Sequence, residues 1–151
     1  KSNKISIVSP VYNAEKIIDE LCNRLIANLS KLTDAFEIIL VDDNSSDDSW
    51  KKIKENTLKD HRIKGYLLSR NFGQHHAITA GIDKVNAEWV VVMDCDLQDR
   101  PEEIVGLYNK ATKGFDIVLA ARKNRKDNFF KKATSKTFYL ILSFLSGMEV
   151  S

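Results

Sequence analysis

The stretch Val90-Val91-Val92-Met93-Asp94-Cys95-Asp96-Leu97-Gln98-Asp99 limits what this chain can become more than any other. An apolar, β-branched run stops abruptly in alternating carboxylates. That pattern predicts a fully buried strand carrying acidic side chains to the edge of a sheet. Two carboxylates one residue apart at such an edge suit a hard divalent cation, which takes one or two protein oxygens and adds phosphate oxygens from a substrate. A strand end followed by a solvated acidic turn is the plainer alternative, and the remaining sequence weighs against it.

Elements of two kinds alternate along the chain. Ile5–Val8 is a short apolar strand, ended by the turn-forming Ser9-Pro10-Val11-Tyr12-Asn13. Apolar residues then recur at Ile17, Ile18, Leu21, Cys22, Leu25, Ile26 and Leu29, the spacing of a helix with one buried face. A second strand, Glu37–Val41, runs into Asp42-Asp43-Asn44-Ser45-Ser46-Asp47-Asp48, a cluster suited to capping a helix from about Asp47 to Lys59. Lys64–Leu68 is a third strand, and Ser69-Arg70-Asn71-Phe72-Gly73-Gln74-His75-His76 opens a helix that runs to about Val85. Trp89–Met93 is the fourth strand, Pro101 with Glu102 and Glu103 starts a helix that Gly114 closes, and Phe115–Ala121 is the fifth strand. Phe129–Leu145 predicts a last amphipathic helix.

Strands alternating with helices imply an α/β fold, a mainly parallel sheet flanked by helices on both faces. In such sheets ligands sit at the C-terminal ends of the strands. Every predicted strand ends there in polar or turn chemistry: Pro10 and Tyr12, Asp42 and Asp43, Ser69 and Arg70, Asp94 and Asp96, and Arg122.

The 151 residues suffice for one domain with a sizeable core, and 43% hydrophobic with 29% charged residues is ordinary for a soluble chain. Charge is unevenly spread. Between Arg122 and Lys136 seven basic side chains face one acid, Asp127, although the whole chain carries only +2. The remainder is therefore acidic. Two cysteines are too few for a disulfide framework, and a reducing, cytoplasmic setting is expected. The longest apolar run, Phe138–Leu145, is far too short to span a bilayer, and no signal peptide precedes the first strand. The chain stops at Gly147-Met148-Glu149-Val150-Ser151 just after an apolar helix, which suggests one domain truncated on its C-terminal side. His75 and His76 are adjacent, do not share a helix face, and are assigned no metal.

Five pieces, in order, carry a resemblance: Val8-Ser9-Pro10-Val11-Tyr12-Asn13, Val41-Asp42-Asp43-Asn44-Ser45-Ser46-Asp47, Ser69-Arg70-Asn71-Phe72-Gly73, Met93-Asp94-Cys95-Asp96-Leu97-Gln98-Asp99-Arg100-Pro101-Glu102 and Ala121-Arg122. Together they resemble the family 2 glycosyltransferases of GT-A fold, and most of all the branch that makes polyprenyl-phosphate sugars. The resemblance implies that Pro10 and Tyr12 line a nucleobase pocket and that Asp43 accepts from a base N–H, with Asp42 bracing the turn. It implies Asp94 on the ribose or diphosphate side, Mg²⁺ or Mn²⁺ on Asp96 and Gln98, and Arg122 on the phosphates. Lys131 and Lys132 would meet donor or acceptor phosphate, while Val41, Arg70 and Cys95 count among the donor-binding residues by their place in the motifs. Some relatives carry Glu directly after the Tyr-Asn pair; here Ala14 intervenes, and Glu15 is the candidate for that contact.

The implied reaction is a metal-dependent, inverting transfer from a nucleotide sugar, UDP in preference to GDP. The acceptor would be a polyprenyl phosphate or a glycan hydroxyl in cell-envelope synthesis. A lipid phosphate is already ionised near neutral pH; a hydroxyl would need a carboxylate base, which in the family lies beyond the Gly147 region, so no catalytic residue is assigned within this chain. The basic 122–136 segment suits an anionic membrane surface, placing the protein at the inner face of the membrane. Nucleic acid is discounted, because the carboxylate-rich edge would repel its backbone. The alternatives are a nucleotide-sugar-binding module without turnover and an Asp-x-Asp phosphatase or phosphotransferase. The latter motif normally follows an early strand and ends in Thr, where this chain has a fourth strand and Gln98. A dinucleotide-binding domain would need Gly-x-Gly-x-x-Gly after a strand, and none is present.

Overall fold

A computed structural model describes residues 3–120. The chain divides into two compact units, residues 1–118 and residues 119–151, and the account below concerns the first. Its apolar runs form four strands, β1 (Asn3–Val11), β2 (Phe36–Asp42), β3 (Ile63–Leu67) and β4 (Ala87–Val92). Between and after them stand α1 (Ile18–Leu29), α2 (Ser49–Lys59), α3 (Gln74–Ile82) and α4 (Glu103–Ala111). The strands lie in the order β3-β2-β1-β4, every pair parallel. The α/β architecture with a parallel sheet and helices on both faces is therefore as expected.

The two faces are unequal. On one, Ile5, Ile7 and Val11 of β1 and Phe36, Ile38 and Leu40 of β2 pack with Ile18, Leu21 and Leu25 of α1, Ile53 of α2 and Ile104 of α4. On the other, Val8, Ile39 and Val41 meet Ala77 of α3. The approach of α3 is close: a Cβ on Gly81 would stand 2.5 Å from Val8 Cγ1 and 3.1 Å from Val41 Cγ2. The helix lies over β1 and β2, buried from Ile5 to Val11 and from Phe36 to Asp42, and among the described residues leaves β4 open on that side.

This corrects the opening expectation. Residues 90–93 are not buried on both faces: burial along β4 alternates, and Val90 and Val92 are 42% and 46% exposed. Among the described residues β4 is an edge strand paired only with β1. The predicted fifth strand is also not formed in the described part of its range. Residues 115–120 pair with no strand among the described residues, and Phe115 and Ile117 are exposed. Arg122, Lys131, Lys132, the basic 122–136 segment and the helix expected over Phe129–Leu145 lie outside the described residues.

β1 runs three residues further than its apolar core suggested, and Pro10 explains how. Val8 carbonyl oxygen accepts from Met93 N (3.1 Å), so the peptide groups of residue 8, and of residue 10 two further on, face β4. The last β1–β4 pair is Val8 with Val92. The β4 ladder stops at Pro10, which has no N–H to make the next rung, and β1 carries on against β2 alone, through Pro10 with Val41 and Val11 with Asp42.

At the opposite end of the sheet one carboxylate ties all four strands. Glu37 of β2, only 1% exposed, accepts from Ser6 Oγ of β1, from Lys64 Nζ of β3 and from Asn86 N (2.9 Å), just before β4. Burial pushes its pKa up, but the Lys64 ammonium, the Ser6 hydroxyl and the Asn86 N–H together hold it below the usual carboxylate value. A depressed carboxyl contributes stability above the ordinary carboxylate range and loses it as pH falls through the folded value. Glu37→Gln is therefore expected to cost about 1–3 kcal/mol at pH 7. Urea unfolding at pH 7 and at pH 3 should show the variant and the parent chain converging on the acid side.

Candidate functional site

The β1–α1 and β2–α2 loops are laced together before any cleft forms. Asn13 N donates to Ser45 Oγ (3.0 Å), Ala14 N to Ser49 Oγ (2.8 Å) and Glu15 N to Asp47 Oδ2 (3.1 Å). In return Ser46 N donates to Asn13 Oδ1 (3.0 Å) and Asp48 N to Glu15 Oε2 (3.0 Å). Asn13 and Asn44 sit at φ 49° and 58°, a left-handed region that Asn tolerates better than most residues. Asp42 Oδ1 takes Ser45 N (2.8 Å) and Ser45 Oγ (2.6 Å) and so braces this turn, as expected of it.

Asp43 does something else. It is 3% exposed, and its two oxygens accept the backbone N–H groups of Phe72 and Gly73, each at 2.8 Å. Gly73 holds φ 93°, which lets both amides turn toward one carboxylate. The end of β2 thereby fixes the loop that opens α3. From the start of α3, Gln74 Nε2 reaches across to donate to Asp94 Oδ1.

The loop after β4 is shaped by local geometry. Leu97 stands at φ 59° with its side chain against the larger core, and Gln98 N donates to Asp96 Oδ1 (2.9 Å). Burial chiefly pushes the Cys95 thiol up. These three loops enclose a cleft of about 350 Å³. Pro10, Val11 and Tyr12 line it from β1, Asp43, Asn71, Gly73 and Gln74 from the middle, and Asp94, Cys95 and Asp96 from the acidic loop.

Of the residues singled out in the sequence, Pro10, Tyr12, Asp43, Asp94, Cys95 and Asp96 thus meet around one cleft. Tyr12 is 52% exposed, so its ring is presented rather than packed away. Others stand apart. Val41 is fully buried in the core under α3, Glu15 belongs to the loop lacing, and the Arg70 guanidinium lies 4.6 Å over the Phe72 ring. Gln98 is not among the lining residues and meets Asp96 through its backbone N–H. Asn71, Gly73 and Gln74 were not singled out. The positive φ at Gly73 had a signal in the glycine itself; the reach of Gln74 to Asp94 had none.

The donor set bears on a metal. Among the described residues no three His, Cys, Asp or Glu side chains close around a point. Mg²⁺ and Mn²⁺ do not require that: they keep several waters and take one or two carboxylates plus phosphate oxygens. Asp94 and Asp96, both at the cleft wall, fit such an ion.

Comparison with known proteins follows this geometry. The model of the family described as glycosyl transferase family 2 matches residues 6–149. The chain is 40% identical over 151 residues to undecaprenyl-phosphate 4-deoxy-4-formamido-L-arabinose transferase of Proteus mirabilis, covering 99% of this chain and 46% of that protein. The enzyme of the same name from Salmonella paratyphi A is 43% identical over 145 residues, covering 95% and 44%. The chain therefore spans less than half the length of these relatives. Among solved structures, S. aureus TarS 1–349 in complex with UDP-GlcNAc is similar with a TM-score of 0.51 and 29% identity, over 70% of this chain and 32% of that one. The mannosyltransferase PcManGT of Pyrobaculum calidifontis, in complex with GDP-Man and Mn²⁺, has a TM-score of 0.55 and 18% identity, over 70% and 31%. This second likeness concerns the fold alone.

Asp43→Asn tests the loop anchor without reference to any ligand. An amide offers one acceptor oxygen where two N–H groups need two, and its NH₂ opposes the other amide. The loss expected is about 1–3 kcal/mol, read by urea unfolding, with the amides of Phe72 and Gly73 exchanging faster than the rest of α3.

Proposed function

Because this chain belongs to glycosyl transferase family 2, we propose that its cleft binds a nucleotide sugar, UDP in preference to GDP, and a divalent cation. We propose further that the whole protein transfers the sugar to a polyprenyl phosphate with inversion, at the inner face of the membrane. The observation that carries this reading is the meeting of an exposed aromatic ring, a buried carboxylate and two cleft-wall acids at one rim. The similarity to undecaprenyl-phosphate sugar transferases supports the lipid-phosphate acceptor, and the TarS structure with UDP-GlcNAc supports the uridine donor.

The Tyr12 ring offers a face for the base. Asp43 keeps one lone pair on each oxygen after taking the Phe72 and Gly73 amides, enough to accept from a base N–H at the cleft wall. Gln74 holds Asp94 through Oδ1 and so sets the side chain that faces the ribose and diphosphate. Asp96 is oriented by the N–H of Gln98 and, with Asp94, would hold Mg²⁺ or Mn²⁺; the Gln98 side chain is the third proposed oxygen donor. Glu15, Val41 and Arg70 act behind the cleft in this reading, through the loop lacing, the α3 core and the Phe72 ring. Arg122 and Lys131 are retained as proposed phosphate contacts, and the 122–136 segment as the proposed membrane-facing stretch.

The charges of the cleft explain why a cation belongs there. Asp94 and Asp96 alone would repel a diphosphate, at about 4 kcal/mol per unit charge pair 4 Å apart under an effective dielectric near 20. A divalent ion held by Asp94 and Asp96 would reverse that sign and would supply charge stabilisation to a departing diphosphate. The chain's own part is to present both carboxylates on a loop that is already shaped. The attacking lipid phosphate needs no base, consistent with the absence of an assigned one.

Calorimetric titration tests the reading. UDP should bind the chain at least about tenfold more tightly with Mn²⁺ than without it, and Asp96→Asn should remove that difference while the thermal midpoint stays within a few degrees. UDP binding that ignores both the ion and the substitution would overturn the metal assignment. The absence of nucleotide binding under any condition would overturn the donor assignment.

A further inference from the structure

The acidic loop after β4 is held at both ends, and the far tie comes from a helix with no place in the cleft. At the near end Met93 N donates to Val8 O (3.1 Å). At the far end stands Glu102, the residue before α4. Its side chain makes no capping bond to its own helix, the usual use of an acid there. It is taken by α1 instead: Arg24 Nε donates to Oε1 (2.9 Å), Arg24 Nη2 to Oε2 (2.6 Å) and Asn28 Nδ2 to Oε1 (3.3 Å). Arg24 is itself steadied by Glu20, whose Oε1 accepts from Nη1 (3.2 Å), and Asn28 by donating to Arg24 O (2.9 Å). The Arg24 guanidinium holds the Glu102 carboxyl down at about 2, so the pair stays charged at any working pH.

We infer that Arg24 is a positioning residue for the cleft: through its two-pronged grip on Glu102 it sets where the 94–101 loop presents Asp94 and Asp96. The inference rests on the donor-site reading above and adds to it a residue outside the cleft. Arg24 and Glu102 are 30% and 45% exposed, so solvent screens the pair and its contribution to stability is small. Geometry is what a parallel, two-bond guanidinium–carboxylate pair supplies best. Other contacts of the same loop are the Gln74–Asp94 hydrogen bond, the Leu97 side chain on the core, the buried Pro101 and the Asp96 turn. Release of Glu102 removes the tie at the α4 end of the loop, next to the turn in which the Gln98 amide orients Asp96.

Three variants test this: Arg24→Met, which removes the grip; Arg24→Lys, which keeps the charge but offers no fork; and Arg24→Glu with Glu102→Arg, which exchanges the partners. Lys52→Met is the control, since it breaks another α1 ion pair, with Asp19 (2.8 Å), far from the loop. Hydrogen exchange of the free chain should show the amides of 95–100 opening faster in Arg24→Met and Arg24→Lys, but not in Lys52→Met. UDP affinity in Mn²⁺ should fall about tenfold in Arg24→Met, with metal-free affinity unchanged, and recover in the exchanged pair. Unchanged loop exchange in both Arg24 variants would overturn the inference, as would unchanged Mn²⁺-dependent affinity. If the parent chain binds no UDP, the donor-site reading fails, and the exchange measurement still decides whether Arg24 holds the loop.

Discussion

Parallel pairing is the constraint from which the site follows. With β3, β2, β1 and β4 all running one way, every strand-to-helix turn emerges at one rim. Each turn there must satisfy backbone groups that the ladders no longer pair. Here side-chain oxygens do it both within loops, as Asp42 and Asp96 do, and across them: Ser45 and Ser49 take the amides of Asn13 and Ala14, and Asp43 takes those of Phe72 and Gly73. The loops of the rim are consequently tied to one another. A cleft with walls of this kind can present acids, an aromatic ring and open backbone in fixed relation, as donor binding requires.

The two ends of the sheet use carboxylates in opposite ways. Glu37 is buried and meets an ammonium, a hydroxyl and an amide, a set that closes around it and ties neighbouring strands. Asp94 and Asp96 face a cleft, with Gln74 and the Gln98 amide as orienting partners. In the proposed function these two acids take the cation. Arg24 sits between these cases. It neutralises an acid at the margin of the loop while standing outside the cleft, so it steadies the acidic wall without cancelling its charge.

Much of this was legible in the sequence, for identifiable reasons. Strand–helix alternation and the polar strand ends gave the parallel sheet and its rim, because period-2 and period-3.6 patterns are set by backbone geometry. Pro10, Tyr12, Asp43, Asp94, Cys95 and Asp96 were found because they lie at those ends. Val90 and Val92 were misjudged: an apolar run cannot say whether it lies at the centre or the edge of the described sheet. Phe115–Ala121 was read as a strand from its apolar run, which supplies no partner; its described part, residues 115–120, pairs with none of the described strands. Gln74 and Arg24 were missed because they meet Asp94 and Glu102 across 20 and 78 positions, separations that no local pattern encodes.

The central claim is that a divalent cation and a nucleoside diphosphate share the cleft beside Asp94 and Asp96. Paramagnetic broadening of backbone amide resonances by substoichiometric Mn²⁺ in the presence of UDP tests it most directly. Broadening centred on residues 94–98, with shifts at Tyr12, Asp43 and Gln74, is the result expected. Broadening centred on the other acid-rich turn, at Asp47 and Asp48, with the 94–98 amides untouched, would contradict it.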